Sequence, residues 1–261
     1  MLCWAWKSNT CRLPDIDSGF SRTGAQAWRD NSSMFCATPS AGRFIACQPW
    51  FASLPTDLQE RLRHGVYSTE GAKGDIMLRA GSAVEGWHAV LSGLVMLRSP
   101  ASRGRASAFI GVSDGDWFGE GSAMKPEPRR YDVVALRPTY MLCLPLPLFA
   151  ALRETSLAFN QFLVLHMNMR LGQAMAIIEA GRMRSTEHRV ALYLSRLFWR
   201  STRRLNLTQE EIGQLCGLSR QTVNRVLRGL EGSGIVSLDF GRVAIVDDDA
   251  LTAHLKATAG D

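Results

Sequence analysis

No apolar run in this sequence approaches the roughly 18–20 residues that a membrane-spanning helix requires. The opening MLCWAWKSNTCRLPD has no basic start, no continuous apolar stretch and no small-residue cleavage site, so a cytoplasmic protein without a membrane partner is expected. Paired cysteines are missing as well. The six cysteines, Cys3, Cys11, Cys36, Cys47, Cys143 and Cys216, are scattered without C-x-x-C spacing. That argues against a zinc site or a disulfide framework and for reduced thiols. The local patterns of enzyme chemistry are absent too: there is no nucleophile elbow, Walker loop, H-E-x-x-H or dinucleotide fingerprint. The glycine-rich GDWFGEG lies in a strand–turn region without the long helix such a fingerprint needs. Neither a catalytic residue nor a metal site is expected.

What remains is 261 residues of ordinary globular composition, 46% hydrophobic and 21% charged, with a net charge of +6. Residues 1–46 show no sustained period and are rich in Ser, Asn, Thr and Gly, the composition of a disordered extension. Met34 stands just before the patterned region and is a second candidate start. From Pro49 the texture changes. PWFASLPTDLQERLRHG reads as an amphipathic helix, followed by the runs DIMLRAG, HAVLSGLVMLRS, ASAFIGV, DVVALRP and YMLCLPL, with glycines between them. Short apolar segments with turn signals at that spacing predict an antiparallel β-roll over residues 47–155, closed by Pro145 and Pro147.

Residues 156–184 predict one long helix. Leu157, Val164, Leu171 and Ile178 recur every seven residues, a seam that two copies can share as a coiled coil. Phe162, Leu165 and Met169 form a second apolar set, expected to face the roll.

Residues 185–261 carry the most specific pattern. Thr208 and Glu211 make a capping box, Ile212 and Leu215 a buried face, and Cys216 and Gly217 a turn. Ser219 caps the next helix at once. Val223, Val226, Leu227 and Leu230 are spaced to bury, which leaves Arg220, Gln221, Asn224, Arg225 and Arg228 outward. This is a helix-turn-helix sized for the DNA major groove, and IVSLDFGRVAIV, turning at Asp239, Phe240 and Gly241, supplies a wing. The charge is clustered accordingly: residues 189–230 hold eight arginines against two glutamates, whereas residues 231–261 carry a net negative charge.

In this order, an α+β chain of cyclic-nucleotide-binding-like β-roll, dimerisation helix and winged helix-turn-helix resembles the Crp/Fnr family of bacterial transcription regulators from about Pro49 to the end. The stretch TQEEIGQLCGLSRQTVNRVLRGLEGSGIV carries the resemblance most specifically. It implies a homodimer on a two-fold operator, with RNA polymerase as a further partner. It also implies Arg220 and Arg225 at base edges and Thr208, Ser219 and Thr222 at phosphates, with Asn224 beside them on the outward face. Gln221 replaces a glutamate that reads a base in the cyclic-AMP receptor protein; its amide favours adenine instead.

GDWFGEGSAMKPEPRRYDVVALRPT is similar to the family's phosphate-binding cassette, with Gly119, Glu120 and Arg130 matching. Tyr131 fills the place of a small hydroxyl residue, Asp132 adds negative charge, and Ala174 and Met175 stand where a Thr-Ser pair faces the adenine. An altered or structural pocket is therefore expected ahead of a working cyclic-nucleotide site, with a cyclic nucleotide kept as the other candidate effector. Clustered cysteines for an iron–sulfur cluster are absent. His64, His88 and His166 are haem ligands in principle only, a lone histidine being more often a satisfied polar side chain. The alternative is a nucleotide-binding-like module that acts through protein interaction.

Overall fold

The computed structural model describes residues 39–100, 108–125, 127–182, 185–199, 207–239 and 242–258. The expected disorder of residues 1–38, the alternative start at Met34, the wing turn at Phe240 and Gly241, and Arg200, Arg203 and Arg204 lie outside them.

The core begins earlier than the composition suggests. Helix α1 (Pro39–Ala46), inside the segment expected to be disordered, buries Ala41 and Ile45 completely. It packs beside the 3-10 turn Phe51–Ser53 and α2 (Thr56–Gly65). Trp50, Trp87, Trp117, Phe149 and Phe159 build the aromatic cluster that receives it. Ala41, Phe44 and Ile45 share one face of the helix, but eight residues are too few to hold a helix alone; it persists because a tertiary partner covers that face.

Then follow β1 (Tyr67–Gly71), β2 (Ile76–Leu78), β3 (Gly86–Ser92), β4 (Leu94–Arg98), β5 (Ala108–Ser113) and β6 (Trp117–Phe118), the short α3 (Glu120–Ala123), and β7 (Asp132–Ala135) and β8 (Thr139–Pro145). They form two antiparallel sheets, ordered β1-β8-β3-β6 and β2-β7-β4-β5, which are the expected roll. Strand β3 explains why its sequence does not alternate. Trp87, Ala89 and Leu91 face the aromatic cluster, while Val90 joins Val95, Leu97, Val112, Phe118, Val133 and Met141 between the sheets. A strand buried on both faces has no polar side to display.

After α4 (Leu146–Thr155), opened by Pro145 and Pro147, comes the 26-residue α5 (Leu157–Arg182). Two heptad stripes run along it. Leu157, Val164, Leu171 and Ile178 are 74%, 64%, 59% and 58% exposed, an uncovered apolar seam. Phe159, His166, Gln173 and Ala180, two residues on and so about 200° around the helix, are buried against the body of the protein. This corrects part of the expected roll-facing set: Phe162 packs on the aromatic cluster beside Trp87, but Leu165 is 70% exposed and Met169 is only half-buried. Two members of the true stripe are polar, so an apolar pattern passes over it.

The C-terminal part comprises α6 (Thr186–Leu194), β9 (Leu207–Thr208), α7 (Gln209–Cys216), α8 (Arg220–Gly232), β10 (Val236–Asp239), β11 (Arg242–Ile245) and α9 (Asp248–Ala257). Strands β10, β11 and β9 form a small sheet. Its core is continuous with the roll: Leu94, Met96 and Leu136 pack in one cluster with Trp199, Leu215 and Val223. Gly111 of β5 is part of this fit, since a Cβ there would lie 2.8 Å from Trp199 Cη2 and 2.9 Å from a Leu215 methyl. Beside the contact, Arg137 Nε and Nη2 donate to the two carboxylate oxygens of Glu211 at 2.8 and 2.7 Å. Lys73 meets Glu210 at 2.9 Å, but both side chains are 54% exposed, so this pair contributes about 0–1 kcal/mol.

Candidate functional site

The reading pair is built by local rules. Thr208 Oγ1 accepts the Glu211 N–H at 3.2 Å, and the Glu211 carboxylate accepts the Thr208 N–H at 2.8 Å, the complete capping box. Gly217 closes α7 at φ 65°, a left-handed conformation that favours glycine. Ser219 Oγ accepts the Thr222 N–H at 3.1 Å and so opens α8. Val223, Val226, Leu227 and Leu230 are buried as their spacing predicts, and the opposite face is left to Arg220, Gln221, Arg225 and Arg228, all exposed. None of these three arginines forms an ion pair among the described residues. Asn224 differs from the expectation, because its Nδ2 donates to Gln209 Oε1 at 3.0 Å and ties α8 to α7. Arg196 pairs with Asp248 at 2.6 Å, which withdraws it from the basic surplus.

A second feature lies in the roll. A cavity of about 540 Å³ opens between α3, the roll and α5, with Leu97, Phe109, Ile110, Phe118, Ile177 and Ile178 along its apolar walls. Its polar groups are Glu120, Lys125, Glu127, Arg130 and Arg170, with Ser122 and the Tyr131 hydroxyl. Glu120 sits 3.5 Å from His166 Nε2. Burial alone would raise its carboxyl, but His166, aided by Arg170, holds it below the ordinary carboxylate range. Arg170 donates to the Trp117 carbonyl at 2.6 Å and to Gln173 at 2.9 Å.

Residues 188–254 match the Crp-like helix-turn-helix domain, and residues 70–156 match the cyclic nucleotide-binding domain. The chain belongs to the Crp/Fnr family of transcription regulators. Solved Crp/Fnr-like structures share the fold. FixK2 from Bradyrhizobium japonicum is 18% identical, with 72% of this chain and 96% of that one covered and a TM-score of 0.61. A CooA mutant from Carboxydothermus hydrogenoformans is 20% identical, with 77% and 90% covered and a TM-score of 0.57. A Crp/Fnr-family regulator from Thermus thermophilus is 23% identical, with 73% and 99% covered and a TM-score of 0.54. A comparison with curated proteins gave no match. No helix among the described residues is long and apolar enough to cross a membrane.

The effector residues expected from the Crp/Fnr pattern are only partly brought together. Gly119, Glu120, Arg130 and Tyr131 all line the cavity. Arg130, however, stands at the rim, its side chain 75% exposed and paired with Glu127 at 2.7 Å. The buried arginine is its neighbour Arg129, only 2% exposed, which the pattern passed over; the Arg-Arg doublet was the sole signal for it. Asp132 does not add its charge to the cavity, because it accepts the Ala80 N–H at 2.9 Å and pairs with Arg98 at 3.7 Å. Ala174 lines the wall, whereas Met175 is 62% exposed on the outer side of α5. His64 is exposed and His88 is buried inside the roll, apart from His166 beside Glu120.

His88 has a consequence for pH. Burial, and then the positive charge of Arg129, push its imidazole down to about 3. The unfolded chain takes up the same proton near pH 6.5, so the stability that neutral His88 contributes is full above about pH 6.5 and is lost as pH falls from there towards 3. His88→Phe, which can keep the stack on Phe118, should reduce this loss by about 1 kcal/mol per pH unit in urea titrations. An unchanged acid limb would mean that protons reach His88 in the native fold.

Proposed function

We propose that the protein is a homodimeric transcription regulator of the cytoplasm that binds a two-fold operator, with its DNA affinity set by an effector in the roll cavity. The observation that carries the reading is the capped α8 with Arg220, Gln221 and Arg225 exposed and the two arginines free of ion pairs among the described residues. An arginine fork pairs with the O6 and N7 acceptors of guanine. In this reading Arg220, Gln221 and Arg225 meet base edges, Thr208, Ser219 and Thr222 lie along phosphates, and Asn224 positions α8. The sensor extends over residues 39–155, because α1 shares its core, the dimerisation helix over 156–184 and the DNA-binding domain over 185–261. RNA polymerase is the further partner, and no enzymatic step is assigned.

The test is selection of duplex DNA fragments by the purified protein, followed by titration of the recovered operator. Arg225→Ala should cost about 1–3 kcal/mol and relax preference at one base step, whereas Thr222→Ala should weaken all sequences alike. Equal, sequence-independent losses would mean that Arg225 reads no base. Absence of salt-dependent duplex binding would favour a module acting through protein contacts.

A further inference from the structure

Lys73 adds little to stability through its exposed pair with Glu210, yet the turn that carries it is held firmly. Between β1 and β2, Asp75 Oδ2 accepts the Ala72 N–H at 2.8 Å. The Gly74 N–H donates to the Ala135 carbonyl at 2.7 Å, and the Ala135 N–H to the Asp75 carbonyl at 2.9 Å. Gly74 itself takes φ 93°, which a residue with a side chain rarely adopts. The turn thus delivers one ammonium group to one place, 2.9 Å from Glu210 Oε2 in the first turn of α7.

That place borders the reading face. Asn224 of α8 donates to Gln209 Oε1 at 3.0 Å, so the residue next to Glu210 is tied to the helix that carries Arg220 and Arg225. Thr208, the cap of α7, lies two residues before Glu210 and is a phosphate contact in the proposed reading. Carboxylates suit the N-terminus of a helix, but Glu210 and Glu211 stand where a DNA backbone must approach, and left unpaired they would repel it. Both are met by cations of the roll. Arg137 is committed to the buried Glu211, whereas the Lys73 side chain is 54% exposed. An ammonium carries three N–H donors; with one on Glu210, two are left for phosphate oxygens. We propose that the β1–β2 turn of the roll is part of the DNA interface, with Lys73 donating to an operator phosphate beside Thr208. The assignment rests on the reading of α8 as the helix that reads DNA, and extends that interface to a residue of the sensor.

The experiment is a salt titration of duplex binding by the full chain, on the selected operator and on a random-sequence duplex of the same length. Lys73→Gln should weaken both duplexes alike and lower the slope of log affinity against log salt by about one per half-site. Over two half-sites, the gap between variant and unmodified protein should then close by about tenfold between about 0.05 and 0.2 M salt. The melting temperature should not move, because the pair that is lost is exposed. Glu210→Gln separates contact from positioning: it breaks the same ion pair but keeps the ammonium, so operator affinity should hold or rise. An unaltered slope in Lys73→Gln overturns the assignment. So does a weakening by Glu210→Gln comparable to that by Lys73→Gln, which would make Lys73 a brace for α7 and no more. If the unmodified protein shows no salt-dependent duplex binding at all, the DNA-binding reading itself fails and takes this assignment with it.

Discussion

Lysine in place of both Val164 and Leu171 is expected to turn the proposed dimer into a monomer and to weaken operator binding by about a thousandfold or more, equivalent to about 4 kcal/mol. The two side chains are 64% and 59% exposed, yet they belong to an unbroken apolar stripe with Leu157 and Ile178. A stripe of this kind on a 26-residue helix is suited to a second helix of the same sequence. Burying two ammonium groups at each such contact without partners costs several kcal/mol. In a single copy the same lysines reach water and disturb nothing, so secondary structure should be unchanged. Neither residue lines the cavity, which keeps effector binding as an independent control. Sedimentation velocity gives the mass, and an unchanged dimer would move the interface to another face.

The second large effect concerns the joint between roll and reading head. Arg137→Ala should lower the stability of the C-terminal part by about 3 kcal/mol, the low end for breaking a buried ion pair, because the Arg137 side chain is 31% exposed while that of Glu211 is 6% exposed. Without the guanidinium, Glu211 remains buried, with the Thr208 N–H still donating to its carboxylate. The same carboxylate caps α7, so the loss should reach the turn that orients α8. Calorimetric scans should show the C-terminal part melting ahead of the roll. A cycle with Glu211→Gln separates the joint from the cap: if the two single losses simply add, Arg137 and Glu211 are energetically independent and this reading fails.

What was legible in the sequence follows the range of the interactions. The capping box at Thr208, the cap at Ser219 and the buried quartet from Val223 to Leu230 depend on neighbours within a few residues, and all stand where the spacing puts them. The seam on α5 was legible for the same reason. The buried stripe beside it was not, because His166 and Gln173 earn their places through Glu120, Arg170 and the Leu197 carbonyl, distant in sequence. Helix α1 is held by aromatic side chains from far along the chain. At the cavity, a motif spacing selects Arg130, but which of two adjacent arginines turns inward is decided by Glu127 outside and Tyr131 inside. Asp132 likewise has an address only once β4 brings Arg98 opposite it.

Ile178 is at once the last residue of the seam and part of the cavity wall. In a dimer closed along α5, whatever fills one protomer's cavity would press on the same side chain that its twin must accommodate. Filling one cavity would thereby change the affinity of the other, and the dose dependence should depart from that of two isolated sites.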